Sequence, residues 1–299
     1  MNAEPVAQTV APPGAHWRLT ADSYLNLIAR GRNSGWRTLA GCTLILAAWI
    51  VLSSVLYFLF EAQFQSGKLG QFVAVNLGIL VLLAGLVLAV VWVQRRPMLT
   101  LVTPRSRFDL RRAGQGFGVF TVLAGIAFAV ESALYPGRYT LNALNGDAGQ
   151  WWVFAPVILL LTPLQAATEE LLFRGYLMQS LRTFTRSPLL IVITSSLLFM
   201  APHLLNPEAE HGGVLVAVQY LLLAIFFAVI TLRDGRLELA IGAHAANNIF
   251  IAIVATYPNS ALDTPAIFIA DTLDPVFSLI SLIVGSGLFY GWFFLRRAP

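Results

Sequence analysis

Eight stretches of the 299-residue sequence, 38–60, 71–94, 117–135, 151–172, 188–206, 213–232, 237–257 and 275–295, are long and apolar enough to cross a bilayer as helices. A hydrocarbon core of ~30 Å takes ~20 residues of helix. The stretch 117–135 is interrupted by Glu131, and 151–172 and 237–257 carry polar groups, so these three rest on length and flanks as well as on apolarity. Lipid cannot satisfy open backbone groups, which leaves helices as the default. No run alternates with the ten-residue period of an outer-membrane strand. Charged residues make up 11% of the chain and mean hydropathy is +0.72, against ~25% charged in an ordinary soluble domain. The expectation is an all-α, polytopic transmembrane bundle of about eight spans. Residues 1–37 read as a polar, floppy cytoplasmic tail with no apolar core of their own, and 38–299 as one transmembrane domain.

Arginine placement orients that bundle, because cytoplasmic loops carry the excess of basic residues. Sixteen of the 19 basic residues fall on one side: Arg18, Arg30, Arg32 and Arg37, six arginines within 95–112, Arg182 and Arg186, Arg233 and Arg236, and Arg296 and Arg297. Lys68 and Arg138 lie on the other side, together with the acidic loop residues Glu208, Glu210, Asp263, Asp271 and Asp274. Both termini are therefore expected to be cytoplasmic, in a multi-pass protein of the inner or plasma membrane. The net charge of +4 reflects this bias. With the arginines scattered and no aromatic interleaving, no nucleic-acid partner is expected. The single cysteine, Cys42, lies inside the first span and excludes a disulfide framework or thiolate metal site.

Polar groups inside the spans point to a site. They are Glu131, Glu169, Glu170, Arg174, His203, His244, Asn247 and Asn248. An ionisable group at a helix centre costs ~2.5–3.5 kcal/mol on insertion scales, so such residues face a partner or a wet cavity. Glu170 and Arg174 are four apart and stack on one helical face. Glu169, ~100° round the helix, lacks that partner and is free to take up a proton as a general base. His203 follows Pro202, which kinks a helix. His244 and Asn248 are also four apart, in a small-residue seam that lets another helix approach. Glu169 and His203 are equally distant from a turn near Arg186, so an antiparallel hairpin brings them level. His244 lies only ~12 Å from the loop at Arg236. All three meet only if the hairpin extends ~10–15 Å past the cytoplasmic surface or tilts. That places the site in the cytoplasmic half. Glu131, near the outer end of its span, reads as structural.

These residues resemble the CPBP family of intramembrane proteases (CAAX prenyl proteases and bacteriocin processing, also called Abi). Its motifs E-E-x-x-x-R, F-x-x-x-H and H-x-x-x-N/D appear as Glu169-Glu170-Leu-Leu-Phe-Arg174, Phe199-Met-Ala-Pro-His203 and His244-Ala-Ala-Asn-Asn248. The resemblance places a protease core at about 150–257. It implies an endopeptidase cutting a prenylated, leader-type or membrane-protein substrate in or beside the bilayer. Glu169 and His203 would hold and activate water. His244 and Asn248 would polarise the scissile carbonyl, and Glu170 with Arg174 would orient Glu169. Metal dependence stays open. If zinc is used, Glu169, His203 and His244 are its ligands, but the local pattern H-E-x-x-H is absent, and the metal-free reading is preferred. Two other readings of the same residues are a proton-coupled transporter and a non-catalytic scaffold or bacteriocin-immunity protein. The missing inverted repeat opposes the first, and the intact motifs oppose the second.

Overall fold

The computed structural model describes residues 15–64, 67–142, 148–258, 260–261 and 264–295. Arg296 and Arg297, counted with the basic side above, lie outside the described residues. After an N-terminal helix α1 (Ala15–Leu25) come eight apolar helices. These are α2 (Gly35–Phe60), α3 (Lys68–Val93), α4 (Leu110–Leu134), α5 (Gln150–Leu181), α6 (Pro188–His203), α7 (Pro207–Asp234), α8 (Glu238–Val254) and α9 (Pro275–Leu295). They correspond one to one with the eight expected spans. Six are long enough to cross a membrane alone; α6 and α8 are shorter. Exposed Ile50 and Phe58 on α2, Trp152 and Leu160 on α5, and Ile280 and Leu288 on α9 form an apolar outer belt. Soluble proteins do not leave that much large apolar surface to water. The chain is a multi-pass membrane protein.

Local chemistry places the helix ends. Asp109 caps α4 by accepting from the Arg112 N–H, and Asp274 caps α9 through the N–H groups of Val276 and Phe277. Pro188, Pro207 and Pro275 open their helices, where the missing donor costs nothing. Helix α4 starts seven residues earlier than the sequence suggests. Its extra turns are held by Arg112, whose Nη2 lies 2.6 Å from Asp234.

The two ends of the bundle differ in charge. Segments 17–37, 94–112, 182–186 and 233–236 gather at one end through Arg182–Asp22, Arg30 to the Pro104 carbonyl, Arg112–Asp234 and Arg236–Asp109. The opposite end holds Arg138, paired with Glu131 and Asp274, and a small sheet. Its strands β1 (Tyr139–Leu141), β2 (Ala255–Thr256) and β3 (Phe268–Ala270) lie in the order β1-β3-β2, antiparallel and then parallel. Nothing in the sequence announced this sheet, because the paired residues Tyr139 and Ala270 are far apart in the chain. Glu131 pairs with Arg138 and accepts from the Tyr139 hydroxyl, and it also lines the central cavity.

Residues 15–30 depart from the expected tail. Ala21, Tyr24 and Leu25 are fully buried in a cluster with Met178, Ile191 and Ala228. The Tyr24 hydroxyl donates to the Leu101 carbonyl at 2.6 Å. The segment is polar on average, but its few apolar groups find partners from distant helices.

Two close crossings set the depth of the core. A Cβ on Gly242 of α8 would stand 1.9 Å from the Ala113 carbonyl oxygen of α4, and one on Gly116 would stand 2.3 Å from that of Leu239. Only glycines permit α4 and α8 to touch this closely. Helix α5 runs for 32 residues, ~48 Å at helical rise, and its last turns reach the arginine-bearing end of the bundle. Those turns are enclosed by protein: Tyr176, Met178 and Gln179 are fully buried under segment 94–103 and α1.

Candidate active site

Helix α5 changes pitch at the site. Ordinary helix ends at Glu170, and a π-helical segment, Leu171–Leu177, carries Arg174. Such wider turns recur at functional sites. The i,i+4 pair nevertheless forms: Arg174 Nη1 lies 2.9 Å from Glu170 Oε1, and both side chains are buried. Arg174 Nη2 donates to the Ala224 carbonyl at 3.0 Å, and its guanidinium lies 4.4 Å from the centre of the Phe199 ring.

Glu170 has a second partner. Its Oε1 lies 2.8 Å from His244 Nδ1. A carboxylate there fixes the tautomer with the proton on Nδ1 and turns Nε2 toward the cavity. His244 Nε2 is then 3.7 Å from Glu169 Oε2 and 3.4 Å from Asn248 Nδ2. The resemblance assigned Glu170 to orienting Glu169; the geometry directs it to His244 instead. Helix spacing exposes only partners on the same helix, and His244 is 74 residues away.

Glu169 is 8% exposed. Its Oε1 accepts from Gln165 Nε2 at 3.2 Å, while Oε2 is buried with no hydrogen-bond partner among the described residues. His203, at the end of α6, donates from Nδ1 to the Phe199 carbonyl at 2.7 Å and stacks on the Phe199 ring at 4.4 Å. Tyr220 flanks it on the other side. Its Nε2 remains for the cavity.

Glu169, His203, His244 and Asn248 line one cavity of about 700 Å³. Arg174 and Glu170 stand behind its wall. Sequence reasoning missed Gln165, Gln219 and Tyr220, which also line it. Their signal was available: each is a polar group inside an otherwise apolar span. At the rim, the backbone N–H of Phe277 and the Arg138 guanidinium hold the Asp274 carboxyl below the usual carboxylate range.

The zinc set named from the sequence does not assemble. Among the described residues no group of three His, Cys, Asp or Glu side chains is placed to hold a metal ion. Both histidines keep only Nε2 free, since each Nδ1 is taken by a protein acceptor.

Residues 150–250 match the family described as Type II CAAX prenyl endopeptidase Rce1-like. A Bacillus subtilis (strain 168) protein described as "Uncharacterized protein YyaK" is 31% identical over 208 residues, which cover 69% of each chain. The chain belongs to the Rce1-like, CPBP family. No solved structure matches it. The Rce1-like segment runs from the start of α5 into α8 and contains all seven motif residues. At the family level the protein is an intramembrane CAAX-type endopeptidase.

Proposed function

We propose that this chain hydrolyses a peptide bond of a membrane-associated substrate with water activated by Glu169. One observation carries the reading: a buried carboxylate oxygen, Glu169 Oε2, faces a cavity shared with two histidine Nε2 atoms and lacks a hydrogen-bond partner among the described residues. Burying such a group costs stability unless a ligand uses it.

In this reading Glu169 and His203 Nε2 hold the water. Glu169 takes its proton as the hydroxide forms a bond to the carbonyl carbon, and passes that proton to the leaving amine as the C–N bond breaks. His244, protonated at Nε2, and Asn248 Nδ2 supply two adjacent donors to the developing oxyanion. Glu170 accepts from Nδ1 and holds the ring in place, and Arg174 pairs with Glu170 behind it. No step requires a metal. The arginine-bearing end faces the cytoplasm of a cell membrane.

The test is Glu169→Gln, assayed on a panel of membrane-anchored peptide reporters by mass spectrometry, with thermal stability measured in detergent. Gln keeps the shape and removes the proton acceptor. Cleavage is expected to vanish with Tm nearly unchanged; cleavage near the wild-type rate would sink the general-base assignment.

A further inference from the structure

The cavity has walls of two kinds and one closed end. Toward the arginine-bearing end it is sealed by backbone. The Leu237 N–H donates to the Val102 carbonyl at 2.8 Å, Gln179 donates to the Thr100 carbonyl at 2.9 Å, and Tyr24 to that of Leu101 at 2.6 Å. A Cβ on Gly175 would come within 3.0 Å of Leu101. Of the segments gathered at that end, 17–37, 94–112, 182–186 and 233–236, none lines the cavity. Toward the opposite end the lining continues outward through Asn206, Glu208, Tyr257, Ala261, Thr272 and Asp274, all in or beside connections on that side. His203 itself ends α6 there, directly beneath that rim.

The lining chemistry also divides. Between α4 and α9 it is mostly apolar, with Phe120, Leu123, Ala127, Leu282 and Gly285, broken by Glu131, Ser278, Ser281 and Ser286. Three other elements, α5, α7 and β2, and one position of α9 present buried side-chain oxygens with no hydrogen-bond partner among the described residues: Gln165 Oε1, Gln219 Oε1, Thr256 Oγ1 and Ser286 Oγ. An extended polypeptide carries a backbone N–H at every non-proline residue and matches such acceptors. The apolar side suits a lipid-embedded anchor.

From this we infer that the site is reached from the face opposite the arginine-bearing, cytoplasmic end. Its substrate class is then a membrane-anchored polypeptide whose scissile segment is extended on the non-cytoplasmic side. The inference deepens the protease reading and rests on it for the word substrate. The direction of access rests on the cavity alone. The sequence places the site in the cytoplasmic half and does not address the direction of access. The Glu170–His244 contact does lie nearer the cytoplasmic end, since His244 is only about two turns into α8, but the path to it comes from the other side.

Two experiments separate the ideas. In a Cys42→Ala background, the single substitutions Ala261→Cys and Ser278→Cys report on the cavity rim, and Arg105→Cys on the arginine-bearing end serves as a control. A charged, membrane-impermeant maleimide is applied to right-side-out or inside-out membrane vesicles. Rim cysteines labelled only from the non-cytoplasmic side, with the Arg105→Cys control labelled only from the cytoplasmic side, are expected. Rim cysteines labelled only from the cytoplasmic side, or from neither, overturn the proposal. Labelling in detergent confirms that each variant is present and reactive. Second, wild-type protein in oriented proteoliposomes receives the anchored reporters on one side at a time. Cleavage is expected only on the non-cytoplasmic side, and cleavage only from the cytoplasmic side overturns access. Outer labelling of the rim with no cleavage from either side leaves access standing and removes the protease reading.

Discussion

Glu170 shows how one side chain can hold a site without touching its cavity. A single carboxylate oxygen meets Arg174 at 2.9 Å and His244 at 2.8 Å, all buried. Replacing Glu170 by Gln leaves a buried guanidinium without a counter-charge, which costs ~3–5 kcal/mol. The Glu170→Gln protein is expected to lose both activity and stability, with a Tm well below that of Glu169→Gln in the same detergent. Equal Tm values would show that Arg174 has another counter-charge. The histidines give a second expectation at this scale. Each has its Nδ1 on a protein acceptor, an arrangement that metal-bound and metal-free imidazoles share. Yet no group of three His, Cys, Asp or Glu side chains is placed to hold a metal ion among the described residues. Chelation of purified protein should therefore leave most cleavage intact. Loss with chelator, restored by stoichiometric zinc, would make Glu169, His203 and His244 ligands.

At the scale of elements, the α4–α8 crossing is the support on which His244 stands. Gly242 lies two residues from it and has no room for a methyl group against the Ala113 carbonyl. Gly242→Ala must push α8 from α4, and overpacking of this kind costs ~1–3 kcal/mol. A displacement of ~1 Å at His244 is enough for a loss of roughly 100-fold in rate. The variant is expected to insert, melt a few degrees lower and cleave far more slowly, as steady-state kinetics and thermal scans would report. Unchanged kcat would mean that α8 and α5 move together.

At the scale of the whole molecule, the N-terminal segment completes the seal at the arginine-bearing end. Tyr24 reaches both the Leu101 and the Arg174 carbonyls, and Leu25 and Leu27 are buried. Deleting residues 1–30 strips this cover from α5 and the 98–103 segment. A lower Tm and greater protease sensitivity of the membrane-inserted protein are expected. A deletion variant as stable as the full chain would return the segment to the status of a tail. The same cover keeps Tyr176 and Met178, on the last turns of α5, fully buried.

The sequence by itself determined the eight spans, because a bilayer of fixed thickness admits only apolar helices of about one length. It also placed Glu170 beside Arg174 and Glu169 level with His203, since helical rise converts residue counts into distance. Tertiary structure decided the rest. Glu170 turns to His244 rather than to its neighbour, α1 packs where composition suggested a free tail, and β1 finds β3 from the far side of four intervening helices. Each of these depends on groups remote in the chain, whose meeting no local period encodes. The direction in which the cavity opens belongs to the same class. It follows from which distant segments close one end, here the backbone of 98–103 lying against Tyr24, Gln179 and Leu237.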